Sequence, residues 1–168
     1  MSAEANPQLA LRPMLPGEAP LLAEIFRASI MGLTQDEYEE EQQEAWAAAA
    51  NDEAAFAKTL ADHTTIVATM GGAPVGFGSL EADGKVGFLY VHPAAVERGV
   101  GTLLADALEK IAGGRGAETL SVDASDSAYD FFSKRGYAAQ QRNSVQCGEE
   151  WLSNTTMKKT LPGPETVQ

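Results

Sequence analysis

The residues best suited to chemistry in this sequence lie in a glycine-rich loop between an apolar run and a leucine-rich segment. The apolar run stops at Pro93, and Gly99 and Gly101 come just before residues with helical spacing. Glycine lets backbone N–H groups come close to a ligand, and the N-terminus of a helix carries partial positive charge. The loop therefore predicts a phosphate-binding site; the alternative is an ordinary loop with two glycines before a helix.

Two common phosphate-binding motifs fit this loop less well. A Walker loop ends in Gly-Lys-Ser/Thr, whereas Gly101 is followed by Thr102 and two leucines, so this motif is excluded. A dinucleotide-binding motif needs a third small residue where Leu104 stands, although Asp123 has the position of an acid that binds ribose. This partial match leaves a nicotinamide-binding protein as an alternative.

Two segments resemble sequence motifs of the GCN5-related N-acetyltransferase (GNAT) superfamily. Residues 96–101, VERGVG, are similar to its acetyl-CoA motif Q/R-x-x-G-x-G/A. Residues 125–137, SDSAYDFFSKRGY, resemble its second motif, N-x-x-A-x-x-F/L-Y-x-x-x-G-F, in the expected order. The resemblance extends from the first strand to about Leu161. It implies an enzyme that moves an acetyl group from acetyl-CoA to a primary amine of a small molecule or peptide by direct attack.

The resemblance also implies which residues contact the cofactor. They lie at the end of the strand before the loop, in the loop, and in the second motif: Leu89, Tyr90, Val91, Val96, Glu97, Arg98, Gly99, Val100, Gly101, Thr102, Ser125, Ala128, Phe131 and Phe132. Val96 replaces the usual Gln or Arg, which removes a polar side chain but keeps the backbone donors. Ser125 replaces the usual Asn and still offers one hydrogen bond.

Catalytic groups are less clearly indicated. An alkylamine is protonated at pH 7, so the reaction needs a base, for which Asp123 is the candidate by position. The alternative for Asp123 is a carboxylate at a strand end that caps the next helix. Phe132 stands where many GNAT members carry the tyrosine thought to protonate coenzyme A, and Tyr129 is the candidate replacement if it faces the cleft. The missing tyrosine keeps open a second function class, a catalytically silent acyl-CoA-binding module.

The acceptor pocket is implied by a pattern in the N-terminal third, A-S followed by Y-x-x-x-Q-x-x-A-W. This pattern resembles a bacterial subgroup of the superfamily whose acceptors are mostly unassigned. The residues it implies as pocket lining are Ser29, Tyr38, Gln42 and Trp46. For Trp46 the alternative is a core anchor, the commoner role of a lone tryptophan.

The elements that must position these residues follow from periodicity and from glycine and proline. Strands are predicted over 10–14, 65–69, 75–80, up to 91, 119–122, 137–145 and 151–159, and helices over 20–30, 99–112 and 125–134. A further helical region, capped by Thr34 and broken near residue 51, is predicted to run to residue 62. The fold class is α/β (α+β). The resemblance implies a mainly antiparallel sheet of about seven strands, helices on both faces, and a splay between the fourth and fifth strands.

Composition indicates one domain. The chain has 168 residues, 44% of them hydrophobic, enough for a single core, which we place in residues 1–161 with a flexible tail over 162–168. No segment approaches the roughly 20 apolar residues of a membrane span. The N-terminus shows no secretory signal, and the single Cys147 cannot form an internal disulfide, so we expect a cytoplasmic protein.

Charge limits the partners. Twelve Lys and Arg against 24 Asp and Glu give a formal net charge of −12, which argues against nucleic acid. Acidic residues crowd residues 36–44, where they could attract a cationic amine or simply form a solvated helix face. We expect no metal. Edge strands near the C-terminus could pair between two chains, so a homodimer is possible.

Overall fold

The computed structural model describes residues 8–162, which form one mixed sheet with helices on both faces. The strands are β1 (Leu9–Pro13), β2 (Thr64–Met70), β3 (Ala73–Glu81), β4 (Lys85–Val91), β5 (Thr119–Ser125), β6 (Ala138–Cys147) and β7 (Glu150–Thr160). The helices are α1 (Ala19–Leu33), α2 (Glu40–Ala47), α3 (Glu53–Asp62), α4 (Val100–Gly114) and α5 (Tyr129–Lys134). Except for Pro162, the predicted C-terminal tail lies outside the described residues.

The seven strands follow the order β1-β2-β3-β4-β5-β7-β6. Every neighbouring pair is antiparallel except β4 and β5, which are parallel and joined by α4. A parallel pair needs such a crossover because a tight turn can join only antiparallel strands. The predicted fold class is therefore confirmed.

The parallel contact between β4 and β5 is short. Only Lys85 pairs with Ser121 and Val86 with Val122. Beyond these two pairs the strands separate, and residues 87–91 face β5 without a strand partner on that side. The splay predicted between the fourth and fifth strands is thus present.

Alternating side chains place a separate core on each face of the sheet. In β2, Ile66 and Ala68 point to a cluster with Leu104 and Leu108 of α4, whereas Val67 points to α1 and α3. Leu104 and Leu108 are at most 1% exposed, which reflects the helical spacing of the apolar residues of α4. With both faces covered, the sheet is a rigid frame on either side of the splay.

Several predicted boundaries are wrong, among them the end of α1, which runs to Leu33 and not to residue 30. Thr34 does not cap the second helix: its hydroxyl donates to the Ile30 carbonyl at 2.6 Å at the end of α1, and α2 starts after Glu39, where a capping box with Gln42 satisfies the first N–H groups. The strand β5 runs on to Ser125 because it keeps pairing with β7, so α5 starts later than predicted. Helix α4 extends through Gly114, two residues beyond its predicted end.

No helix in residues 8–162 is both long enough and apolar enough to cross a membrane.

Candidate active site

The splay between β4 and β5 opens into two cavities that share one wall. The cavity beside the glycine-rich loop, here called the loop end, has a volume of about 400 Å³. The cavity beside the β6–β7 hairpin, here called the hairpin end, has a volume of about 340 Å³. Six residues line both cavities: Trp46, Leu89, Tyr90, Ser125, Ala128 and Phe132. The two cavities are therefore two ends of one cleft.

The loop end collects the predicted cofactor residues. All of them except Arg98 line this cavity, whereas the Arg98 guanidinium lies 3.9 Å from the Met70 sulfur. The side chain of Val96, which replaces a polar residue of the motif, is 37% exposed at the rim. The structure thus places the glycine-rich loop and the second motif on the walls of one cavity.

Backbone geometry explains why the loop end can hold an anion. Gly99 adopts φ +83° just before α4, a left-handed conformation that disfavours side chains. Leu103 is the first residue of α4 to donate within the helix, to the Gly99 carbonyl at 2.9 Å. The N–H groups of residues 100–102 precede it and need an outside partner. A methyl group on Gly101 would make only ordinary contacts with Phe131, the nearest at 3.6 Å, so a larger side chain would have to enter the cavity.

The hairpin end is walled by aromatic residues and by the β6–β7 hairpin. Its lining includes Tyr38, Trp46, Glu81, Lys85, Asp123, Cys147 and Asn154. The ring of Trp46 lies 5.3 Å from that of Tyr38 and 6.4 Å from that of Tyr90. Trp46 also packs against the core beneath α1, so it is both a wall of the cleft and an anchor.

Tyr38 ties three parts of the cleft together. Its hydroxyl donates to the Ser153 carbonyl at 2.6 Å and accepts from the Asp126 N–H at 2.9 Å. Burial raises the pKa of this tyrosine. With the hydroxyl engaged in both bonds, Tyr38 holds the walls in place.

The other two predicted pocket residues do not line the cleft. Ser29 is buried within α1, and Gln42 donates to the Trp151 carbonyl at 2.8 Å. Gln42 also accepts from the Glu39 N–H in the capping box, so its amide links α2 to the hairpin.

Asp123 reaches the hairpin end as an ion pair. Its carboxylate accepts from the Lys85 ammonium at 2.8 Å and from the Thr156 hydroxyl at 2.7 Å. Burial raises the pKa of Asp123, but these hydrogen bonds outweigh burial and leave the pKa below its ordinary value. A carboxylate with a lowered pKa is a weak base, so the arrangement favours an electrostatic role over proton transfer.

Tyr129 does not face the cleft. It packs against the core on the α4 side and lines neither end, because α5 turns the Phe132 ring toward the cavities instead. Tyr90 is the tyrosine that lines both ends of the cleft. Burial raises the pKa of Tyr90 to about 12, so this hydroxyl keeps its proton at neutral pH.

Several lining residues were not predicted. Glu81, Lys85 and the hairpin residues near Cys147 come from distant parts of the sequence, and no local motif marks them. The Cys147 thiol donates to the Ala45 carbonyl at 3.3 Å, and burial raises its pKa, so it is held as a neutral thiol. Within residues 8–162, no group of three His, Cys, Asp or Glu side chains is placed to hold a metal ion.

The fold and the cleft define an α/β transferase domain with a splayed sheet, and sequence comparison assigns its family. Residues 34–161 match the acetyltransferase (GNAT) domain. The chain is 30% identical over 150 residues to the uncharacterized N-acetyltransferase YafP of Escherichia coli K12, covering 89% of this chain and 95% of YafP. The chain belongs to the GNAT family, and it is an acetyl-CoA-dependent N-acetyltransferase.

Solved structures agree with this assignment. A crystal structure from Rhodopseudomonas palustris, described as a GCN5-related N-acetyltransferase and as "Aminotransferase, Class-II", is 59% identical with a TM-score of 0.90. The match covers 93% of this chain and 96% of that chain. The PaiA N-acetyltransferase of Thermoplasma acidophilum, solved with coenzyme A, has a TM-score of 0.77 at 19% identity, covering 91% of this chain and 99% of that one.

Proposed function

We propose that the enzyme transfers the acetyl group of acetyl-CoA to a primary amine of a small molecule or peptide by direct attack. The observation that carries this proposal is the continuity of the cleft: an anion-binding loop end opens, through the splay, into a polar and aromatic hairpin end. Two substrates can therefore enter from opposite ends and meet beside β4. The PaiA structure, with coenzyme A bound in the same fold, supports this arrangement.

The loop end fits the cofactor by its donor set. Free N–H groups at the start of α4 suit a pyrophosphate, and glycine at position 101 leaves room for it. The unpaired edge of β4 near Leu89 offers backbone groups to an extended chain such as pantetheine. Acetyl-CoA supplies the thioester, and a β4 N–H beside it would stabilise negative charge on the carbonyl oxygen.

The hairpin end suits a cationic or amine acceptor. Glu81, the Lys85–Asp123 pair and the aromatic side chains of Tyr38 and Trp46 all line this cavity. Carboxylates attract an ammonium group, and aromatic faces do so as well. The net charge of −12 adds a field that favours cations.

We assign the proton for the leaving thiolate to Tyr90. The side chain lies where the two ends meet, and its hydroxyl is protonated at neutral pH. Phe132, beside it in the shared wall, has no proton to give. Position in the cleft supports Tyr90 over Tyr129 for this role.

The silent acyl-CoA-binding module is the alternative suggested by Phe132 at the usual acid position, and the family assignment favours the enzyme over it. One plate assay separates the two. Thermal shift with acetyl-CoA, coenzyme A and NADH is followed by thiol release against spermidine, amino acids, aminoglycosides and lysine peptides. Stabilisation by acetyl-CoA with release on one amine class supports the enzyme. Stabilisation without release supports the silent module, and stabilisation by NADH alone would contradict both.

We also propose that the enzyme acts in the cytoplasm and that β6 pairs two copies into a homodimer. The strand β6 forms one edge of the sheet, and its backbone there has no partner within the described chain. Light scattering at micromolar concentration measures the assembly: a dimer mass supports edge pairing, and a monomer mass excludes it.

A further inference from the structure

We propose that Glu81 selects the acceptor by binding the second ammonium group of a linear diamine whose first amine is acetylated beside Tyr90. This inference rests on the proposed amine acetylation and names the class of acceptor. Glu81 and Tyr90 both line the hairpin end. Three features of that cavity fit such an acceptor: the shared face of the two residues, their separation and the charge beside Glu81.

Glu81 and Tyr90 lie on the same face of the sheet. In β3, Leu80 packs in the core on the α4 side, and Phe77 packs in the opposite core beneath α1. Side chains alternate along a strand, so Glu81 shares the face of Phe77. Phe77 pairs with Tyr90, which packs against the same core beneath α1. Both side chains therefore point to the α1 side of the sheet, the side on which Trp46 borders the cavity.

The separation of the two residues follows from the register of β3 with β4. Phe77 pairs with Tyr90, and Glu81 pairs with Lys85. From Phe77 to Glu81 there are four residue steps, which at about 3.3 Å each place the two pairs about 13 Å apart. The nitrogens of octamethylenediamine are about 11 Å apart when the chain is extended, and the Glu81 side chain covers the remainder. A diamine of this length therefore reaches from Tyr90 to Glu81, whereas putrescine, at about 6 Å, does not.

Glu81 carries the uncompensated charge of the hairpin end. Within residues 8–162, Lys85 is the one cationic side chain of that lining, and its ammonium donates to Asp123 at 2.8 Å. No ion pair in the described part of the chain involves Glu81, which is half-buried. Water screens a half-buried carboxylate less than an exposed one, so a second ammonium group gains more there. Because Lys85 is already paired, the same place disfavours an acceptor that carries a carboxylate.

The wall between the two residues suits a methylene chain. The four residues of β4 between Lys85 and Tyr90 line the hairpin end and have no polar side chain: Val86, Gly87, Phe88 and Leu89. Val145 and Leu152 of the β6–β7 hairpin also line it. Methylene groups gain free energy when such surfaces remove them from water. The cavity therefore offers apolar contacts for the middle of the diamine and a carboxylate for its far end.

The first test compares three acceptors of equal length: octamethylenediamine, ω-aminooctanol and ω-aminooctanoate. They differ only in the far group, which at pH 7 is an ammonium, a hydroxyl or a carboxylate. We expect kcat/KM to be at least about tenfold higher for the diamine than for the alcohol, after allowance for its two equivalent amines, and lowest for the carboxylate. Putrescine, which is too short to reach Glu81, should lose this advantage. Equal values for the three acceptors, or the highest value for ω-aminooctanoate, would overturn the proposal.

The second test is Glu81→Gln, which keeps the shape of the side chain and removes its charge. We expect KM for octamethylenediamine to rise about tenfold with little change in kcat, because the contact with the far ammonium does not change during the reaction. The loss with ω-aminooctanol should be much smaller. Calorimetry should give an acetyl-CoA affinity within about twofold of the wild type, which checks the fold. Equal losses with both acceptors would mean that Glu81 is structural and would overturn the proposal.

Two further variants separate direct contact from overall charge. Glu24→Gln removes the same charge from the exposed face of α1, outside both ends of the cleft, and should keep the wild-type preference for the diamine. A loss of preference equal to that of Glu81→Gln would mean that net charge alone attracts the diamine, and the proposal would fail. Glu81→Asp shortens the side chain by one methylene and should move the best acceptor from octamethylenediamine to nonamethylenediamine.

The two levels of proposal fail differently. Absence of coenzyme A release by the wild type with every amine would refute the proposed function. Release with other amines but none with octamethylenediamine, or release from this diamine that Glu81→Gln leaves unchanged, would refute the role of Glu81 alone.

Discussion

The two ends of the cleft are built in different ways. The loop end takes most of its lining from two short segments, residues 89–102 and 125–132, and it presents backbone N–H groups at the start of α4. The hairpin end takes side chains from α2, β3, β4, β5 and the β6–β7 hairpin. The position of the backbone donors is set by one turn of the chain. The shape and charge of the hairpin end are set by every side chain that lines it. Cofactor recognition is therefore local in the sequence, and acceptor recognition is distributed.

The sharpest way to break this comparison is to disable the loop end alone. Gly101→Glu places a carboxylate where the cofactor phosphates bind, and like charges at such close range cost several kcal/mol. We expect acetyl-CoA affinity to fall about a hundredfold or more by calorimetry. The melting temperature without ligand should change little, because a side chain there points into the cavity.

Gly113→Glu is the matched control for that change. It adds the same side chain in the last turn of the same helix, where nothing lies within 4 Å of the added carbon. Its acetyl-CoA affinity should equal that of the wild type. Equal affinity in Gly101→Glu would remove the anion-binding argument.

The shared wall offers the next test. Tyr90→Phe removes the proposed proton donor but keeps the ring that packs 4.8 Å from the Phe26 ring. We expect kcat to fall about a hundredfold with acetyl-CoA affinity nearly unchanged. Tyr129→Phe, which removes a hydroxyl outside both ends, should have a much smaller effect. A larger loss in Tyr129→Phe than in Tyr90→Phe would restore Tyr129 as the acid.

Stability of the hairpin end can be lowered without touching the loop end. Tyr38→Phe leaves the Asp126 N–H and the Ser153 carbonyl without their partner. An unpaired buried group costs about 1–3 kcal/mol. Because both bonds are only partly buried, we expect the free energy of unfolding in urea to fall by about 1–3 kcal/mol in total. Acetyl-CoA affinity should hold within a few-fold. A stability equal to that of the wild type would mean that water replaces the hydroxyl.

The smallest effect is expected at Asp123. Asp123→Asn removes the ion pair with Lys85, whose partners are each about one-third exposed, so the loss should stay below about 1 kcal/mol at pH 7. Because folding lowers the pKa of Asp123, its contribution is present above the ordinary carboxyl value and disappears as pH falls through the folded value. Urea unfolding at pH 7 and pH 3 should therefore show the variant and wild type converging in acid.

The sequence predicts the loop end of the cleft better than the hairpin end. The loop, α4 and the second motif were placed correctly because each depends on residues close in the chain, such as Gly99 before the helix. The boundary at Thr34 was missed because its hydroxyl bonds back to Ile30, an equally good use of the same side chain. The spacing of residues in the sequence does not distinguish a Thr34 that caps the next helix from one that bonds back to Ile30.

The catalytic groups were harder because they depend on register and long-range pairing. Lys85 and Asp123 lie 38 residues apart, and only the parallel contact of β4 with β5 brings them together. Tyr129 packs on the α4 side of the sheet, and this placement depends on how α5 packs against the sheet, which the local sequence does not specify.

The two residue pairs that join β4 to β5 also make the domain divisible. Cutting the chain between Gly114 and Thr119 would yield a four-stranded fragment and a three-stranded fragment whose strands pair only at this seam and whose side chains also meet in the core under α4. A molecule lying in the splay would contact both fragments and stabilise their association. Reassembly of the separated pieces would then report on acetyl-CoA, which makes this scaffold a starting point for a split-protein sensor.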